Sequence, residues 1–286
     1  MNKILVTGSN GQLGSEIKVL ASKESCRHFI FTDLAELDIT NHLLVKEFIE
    51  INNINIIINC AAYTAVDKAE EQLDLANRIN HLAVANFAQL AKEKNIKLIH
   101  ISTDYVFDGS NYKPYKEGDT PNPQCVYGQT KLNGELAMQR INPTNSIIIR
   151  TSWVYSYFGN NFVKNMLRLA KVKDQISVVS DQVGSPTNAA DLAHVILTIL
   201  SKVKNHSVEI FHFSNEGVCS WYDFTKAIFE ILDKKVKLNA IETFQYPTAA
   251  LRPFYSVLNK SKIKERFQLH IPHWRESLKN FLKIKL

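Results

Sequence analysis

An α/β fold built on a doubly wound parallel sheet is predicted by three features of the sequence. Short apolar runs alternate with longer amphipathic stretches through the first half. Those runs are nearly continuous in Ile, Val and Leu, as strands buried on both faces require. A glycine-rich segment follows the first run directly. Together they describe a Rossmann-like core, which binds ligands at the carboxyl ends of its strands.

Strands are expected at 3–7, 28–32, 55–60, 97–102 and 146–151, with helices between them over 12–23, 41–52, 65–93 and 127–140. The second half is more mixed. Residues 160–171, 188–202 and 220–233 read as helical, and 176–179 and 209–213 as strands. No Pro/Gly/Ser-rich linker separates the halves. Residues 1–152 are therefore read as a dinucleotide-binding domain to which some later segments return. Residues 153–286 are read mainly as a smaller mixed α/β substrate-binding lobe.

Composition narrows the classes. A hydrophobic share of 45% with 22% charged residues is that of a globular chain, not a disordered one. The formal charge of +6 suits attraction of a dinucleotide or nucleotide sugar, though solubility explains it equally well. Basic residues are spread out, with only a mild excess at Lys260, Lys262, Lys264, Lys279, Lys283 and Lys285, so nucleic acid is not an expected partner. Cys26, Cys60, Cys125 and Cys219 form no CxxC pair, which fits a reducing compartment. No run reaches the length of a membrane span, and the first residues do not read as a signal peptide. A cytoplasmic protein is expected.

After the first run comes Gly8-Ser9-Asn10-Gly11-Gln12-Leu13-Gly14. Small residues there let the backbone turn tightly and approach a pyrophosphate, whose charge sits at a helix N-terminus. Its position after a strand and before an amphipathic helix makes the pattern much more specific than glycines alone. Asp33 closes the second strand, where a carboxylate accepts hydrogen bonds from an adenosine ribose. It favours NADH over NADPH, because a 2′-phosphate would meet a negative charge; either coenzyme stays open. Leu37, Asp38, Ile39 and Thr40 are placed beside the adenine, although Asp38 serves equally as a helix cap. Ala61, Ala62, Tyr63 and Thr64 lie at the end of the third strand and Ile101 in the fourth, where the coenzyme should cross the sheet edge. Asp67 and Glu70 are explained by the dipole of the following helix.

The reaction centre is sought where the fourth strand ends, in Ser102-Thr103-Asp104-Tyr105, and where Tyr127 and Lys131 open a helix. A Tyr and a Lys four residues apart share a helix face. A free phenol, with a pKa of about 10, is a weak acid at neutral pH. An ammonium roughly 4–5 Å away would stabilise its phenolate by about 3–4 kcal/mol, or roughly 2–3 pKa units. Two other Tyr-x-x-x-Lys pairs exist, but Pro114 interrupts Tyr112/Lys116, and Tyr222/Lys226 lies far along the chain from the strand ends.

With these motifs in place, the chain resembles the extended short-chain dehydrogenase/reductases, and among them the dTDP-4-dehydrorhamnose reductase family. The resemblance runs nearly end to end, through stretches 8–14, 61–70, 102–109, 127–135, 181–187 and 252–258. It implies hydride transfer from NADH or NADPH to the C4 carbonyl of a nucleotide keto-sugar, with Tyr127 as proton donor. Lys131 would lower the Tyr127 pKa and hold the nicotinamide ribose, and Thr103 would donate to the substrate oxygen. Asp104 and Trp153 would contact the sugar nucleotide, though Trp153 also suits core packing at a strand end. Arg252 would grip the substrate diphosphate, a task for which its planar fork is suited. Loop 183–187 would line the nucleotide-base pocket. Some family members are dimers bridged by Mg²⁺ through glutamates. Here Glu16 matches one position, Asp191 is a shorter carboxylate near another, and no C-terminal partner is identified. The residues therefore give Mg²⁺ no support, and a homodimer stays open.

Two other readings compete: a 4-ketoreductase of another sugar or of opposite stereochemistry, and a non-catalytic regulatory subunit like the β-subunit of methionine adenosyltransferase. The Thr103-Asp104 pair together with Tyr127 and Lys131 favours catalysis, since a binding module needs no proton donor.

Overall fold

The computed structural model describes residues 2–283. The chain begins with β1 (Lys3–Thr7), α1 (Gln12–Ala21), β2 (His28–Thr32), α2 (His42–Asn52) and β3 (Ile56–Asn59). Next come α3 (Val66–Ala69), α4 (Leu73–Asn77), a π-turn (Arg78–Leu82) and α5 (Ala83–Lys94). Strand β4 (Lys97–Thr103), α6 (Val126–Ile141) and β5 (Ile147–Thr151) complete the first half. The second half holds β6 (Val154–Tyr155), α7 (Phe162–Leu169), β7 (Gln175–Val179), β8 (Val183–Gly184) and β9 (Thr187–Asn188). It continues through α8 (Ala189–Ile199), β10 (Glu209–His212), β11 (Cys219–Ser220), α9 (Trp221–Ile231) and β12 (Lys237–Ile241). Helices α10 (Ser261–Phe267) and α11 (Trp274–Lys283) end it.

Six strands form the central sheet in the order β10-β5-β4-β3-β1-β2, and every pairing is parallel. Both faces are covered, which is why the strands are apolar at nearly every position. Ile4, Val6, Ile58 and Ile99 pack under α1 and α8, while Leu5, Ile57, Leu98 and Ile148 pack under α2, α5 and α6. The chain moves from β1 out to β2, then returns to β3 on the other side of β1. That reversal opens a crevice at the carboxyl ends of β1 and β3.

A second core of Val163, Met166, Ile176, Phe224, Trp274 and Leu278 joins α7, α9 and α11 to β7. Strand β10 leaves this half to extend the central sheet beside β5. Strand β12, which the sequence reading left unassigned, pairs in parallel with β7.

The expected long helix over 65–93 is not one helix. The chain breaks after Ala69 and passes through a wide turn at Arg78–Leu82. Side-chain bonds pull the backbone aside at these points: Glu70 Oε1 accepts from the Val126 amide at 2.9 Å, and Asn80 Oδ1 accepts from the Tyr63 amide at 2.8 Å.

Candidate active site

A cleft of about 930 Å³ opens along the carboxyl ends of the sheet. Gly8, Asn10, Gly11, Gln12 and Leu13 form one wall, and Asp33, Asp38 and Ile39 another. Ala61, Ala62, Thr64 and Ile101 line its middle, and Thr103, Asp104, Tyr127, Lys131 and Trp153 its far end. The glycine loop meets the start of α1 here, where unpaired amides and the helix dipole favour an anion. Gly14 is not part of the lining. It lies behind the loop, where a Cβ would come within 2.4 Å of the Gly8 carbonyl oxygen, so only glycine lets α1 sit this close. A backbone cradle that a side chain would fill fits a pyrophosphate.

Asp33 is fixed by two backbone amides, accepting from Asn10 and Leu34 at 2.9 Å each. Asp38 accepts from both the amide and the hydroxyl of Thr40. The capping role weighed for Asp38 belongs instead to Asn41, whose side chain accepts from Leu44 N at the start of α2. Tyr63 also departs from its expected place. Its backbone is clasped by Asn80 and its hydroxyl donates to Gln72, and it does not line the cleft.

The reacting groups converge from two elements. Tyr127 is the second residue of α6 and Lys131 lies one turn further on, while Thr103 ends β4. The Tyr127 phenol is hydrogen-bonded to Thr103, whose Oγ1 also donates to Asp104 Oδ1 at 3.1 Å. Burial pushes the Tyr127 phenol well above its ordinary value; the Thr103 bond opposes this, and the nearby Asp104 charge adds to it. The expected acidification by Lys131 is therefore overturned. The cost of burying a phenolate is the largest effect on this group, and Lys131 is not among the groups that act on it. Lys131 is itself only 1% exposed, and burial lowers it to about 8, against the attraction of Glu135 and Cys60. Its Nζ donates to the Ile101 carbonyl at 2.6 Å.

Asp104 is buried, which raises its carboxyl to about 6 against hydrogen bonds from Ser256 and Thr103. Its Oδ2 has no hydrogen-bond partner among the described residues and belongs to a residue that faces the cleft. Trp153 takes a left-handed backbone (φ +50°) and stacks on Trp221 with ring centroids 3.5 Å apart. It packs and lines the cleft at once.

Arg252 is outside the lining of the cleft. It forms a two-pronged ion pair with Asp67, at 2.9 and 2.6 Å. The dipole reading of Asp67 thus misses its main partner, and the Arg252 bond holds its carboxyl below the usual range. Glu70 closes α3 instead of opening it, and serves the first amide of α6. Glu16 is buried and accepts from Ser156 at 2.6 Å, while Asp191 accepts from Asn215 and Ser277. Among the described residues no three His, Cys, Asp or Glu side chains group as a metal site requires.

Leu37 and Thr40 line the wall at Asp33 with Asp38 and Ile39. Several other lining residues had no assigned role in the sequence. Leu34 extends the same wall, and Arg78 and Ile79 come from the π-turn. Tyr105 packs edge-on against Tyr127 at 5.5 Å. Tyr105 lay inside a recognised stretch and could have been found there; the π-turn carries no sequence signal.

The family model described as the RmlD substrate binding domain matches residues 1–286. A dTDP-4-dehydrorhamnose reductase of Aggregatibacter actinomycetemcomitans is 42% identical, covering 98% of each chain. A crystal structure of a dTDP-4-dehydrorhamnose reductase from Clostridium acetobutylicum is 44% identical, covers 99% of each chain and superposes with a TM-score of 0.93. The dTDP-4-dehydrorhamnose reductase of Bacillus anthracis, solved in complex with NADP, is 39% identical over the whole of both chains, with a TM-score of 0.94. Matched from end to end in sequence and in fold, the chain belongs to the RmlD substrate-binding-domain family.

Proposed function

We propose that this protein reduces the C4 keto group of dTDP-4-dehydro-L-rhamnose to give dTDP-L-rhamnose, with a reduced nicotinamide coenzyme. The observation that carries this reading is the shared cleft: the glycine loop, Thr103, Tyr127 and Lys131 all line it. The named relatives favour a catalytic reductase over a regulatory subunit, and one of them binds NADP.

The bound coenzyme supplies the hydride. As C4 accepts it, the carbonyl oxygen becomes an alkoxide and takes the Tyr127 proton. A phenol kept protonated by burial suits that step, because an alkoxide is a much stronger base than a phenolate. Thr103 orients the phenol and gives the oxygen a second polar neighbour. Asn10, Gly11 and Gln12 hold the pyrophosphate, Asp33 the adenosine ribose, and Lys131 the nicotinamide ribose. Trp153 and Asp104 face the sugar. Beyond its bonds to Asp67 and the Ala250 carbonyl, Arg252 keeps its Nε–H and one Nη2–H, and these would meet the diphosphate. The protein acts in the cytoplasm, and a homodimer is compatible with this reading.

The test is coenzyme oxidation across a panel of 4-keto nucleotide sugars, with the product's C4 configuration read by NMR. Turnover of the dTDP-4-dehydrorhamnose substrate to the rhamnose epimer supports the reading. Turnover of another sugar alone, or the opposite epimer, would replace it, and binding to a synthetase without any coenzyme oxidation would restore the regulatory one.

A further inference from the structure

Three polar side chains interrupt the apolar face of the central sheet beneath α6. Thr7, Asn59 and His100 occupy paired positions on β1, β3 and β4, so they project from one face in a single row. Each is at most 1% exposed. Thr7 Oγ1 lies 2.7 Å from Asn59 Oδ1, Asn59 Nδ2 lies 3.1 Å from His100 Nδ1, and His100 Nε2 lies 3.5 Å from Lys131 Nζ. Burying such a row costs desolvation, and sheet stability alone does not call for it.

Proton positions along the row are linked. An ammonium has only donors, so a charged Lys131 requires His100 Nε2 as acceptor. The imidazole proton then sits on Nδ1 and needs an acceptor of its own, which Asn59 supplies by turning its carbonyl oxygen toward the ring. Its amide nitrogen then donates to Thr7 Oγ1. In the opposite setting, in which the structure places the amide, the Asn59 nitrogen faces Nδ1, the proton moves to Nε2, and it points at Lys131. Only an uncharged amine could accept it. The two settings of an amide or an imidazole place heavy atoms at nearly the same points, so chemistry must choose between them.

We propose that His100 is a positioning residue of this centre: Asn59 fixes it as the Nδ1–H tautomer, and its Nε2, together with the Ile101 carbonyl, holds the Lys131 ammonium. The third N–H of Lys131 is left for the cleft that it lines. This deepens the proposed reductase reading and rests on it for the role of Lys131. The other groups acting on Lys131 are Glu135 on its own helix and Cys60 after β3, with Tyr127 one turn away on α6. Neither Glu135 nor Cys60 can replace an acceptor at His100. Glu135 is occupied by Arg150 and Ser102, and the Cys60 thiol is pushed up to about 12 by burial.

Nitrogen-15 spectra of the ligand-free protein, with the His100 signal assigned by its loss in His100→Gln, test the tautomer without any substrate. The expected pattern is a proton on Nδ1 and none on Nε2 between about pH 6 and 7.5. An Nε2–H pattern or an imidazolium overturns the proposal. The second arm compares His100→Leu, which removes the acceptor, with His100→Gln, whose side-chain oxygen can restore it. In His100→Leu the ammonium loses a partner, so the alkaline limb of the kcat profile should move to lower pH by about one unit. Coenzyme Kd should rise about three- to tenfold, and His100→Gln should recover most of both effects. Equal losses in the two variants, or an unmoved pH profile, also overturn it. If His100→Leu does not fold, the tautomer of the wild type and the profile of His100→Gln decide. A wild type that shows the expected tautomer but reduces no keto-sugar would end the reductase reading and leave the row intact.

Discussion

At Tyr127 burial and the Thr103 hydrogen bond pull the phenol in opposite directions, and burial is the stronger. A buried phenol holds its proton across neutral pH and surrenders it only to a strong base, which is the task of a proton donor in ketone reduction. Tyr127→Phe keeps the ring and its edge contact with Tyr105. It should lower kcat by about 10²–10⁴-fold, while fluorescence titration finds coenzyme Kd nearly unchanged. Comparable losses in both quantities would mean that the ring binds and does not react. Asp33 raises a different question. Its carboxylate oxygens are each spoken for by one amide, yet its charge still stands at the cleft wall. Asp33→Asn keeps an acceptor and removes that charge. It should raise the kcat/KM ratio of NADPH over NADH by about tenfold, measured with both coenzymes on one preparation. An unchanged ratio would place the 2′-phosphate away from Asp33.

Among the elements, what was legible in the sequence was what local periodicity controls. The buried parallel strands declared themselves by unbroken Ile and Leu, and helices α1, α2 and α6 by their stripes. Helix α11 carries a readable signal in Trp274, Leu278, Phe281 and Leu282, which fall on one face, but it was not assigned. Strand β12 was not readable: of its five residues none is fully buried, and its partner β7 lies some sixty residues upstream. The Rossmann site was legible because its motifs are local, whereas the Arg252–Asp67 pair joins positions 185 residues apart. The π-turn escaped for a related reason. Its wide hydrogen bonding is sustained by Asn80, which clasps both backbone groups of Tyr63 and reaches Thr130 at 3.2 Å. It is a tight crossing as well, since a Cβ on Gly134 of α6 would come within 2.2 Å of the Asn80 carbonyl oxygen. Backbone, not a pliable side chain, would have to yield. Gly134→Ala should therefore destabilise the fold by about 2 kcal/mol or more despite its better helix propensity, measured by urea unfolding. A stabilised variant would show that α6 can withdraw from the turn freely.

For the whole molecule, acid stability follows from charges that the folded sheet refuses. His100 and His212 are both fully buried in the central sheet. Burial holds His100 well below 6.5, with the Lys131 charge adding to it; burial and the Arg150 charge bring His212 to about 3. Below pH 6.5 the unfolded chain takes up a proton at each histidine and the native chain does not. Each thus contributes stability that is present above 6.5 and lost as the pH falls, for His212 down to about 3. Asp104 acts with the opposite sign. Its folded value of about 6 exceeds the unfolded 3.8, so between those limits the native state binds the extra proton and gains stability on acidification. Among these three groups the His212 and Asp104 protons oppose one another from about pH 6 to 4, and His100 adds a loss of up to about 1.4 kcal/mol per pH unit. Asp108, held at about 2 chiefly by the Ser110 amide, adds to the loss below about pH 4. Urea unfolding followed by tryptophan fluorescence at half-unit steps from pH 4 to 7.5 should trace this slope. Asp104→Asn removes the opposing proton and should steepen it, while His212→Gln should make it shallower. A slope that ignores both substitutions would mean that acid opens the molecule locally, before the sheet that buries these groups gives way.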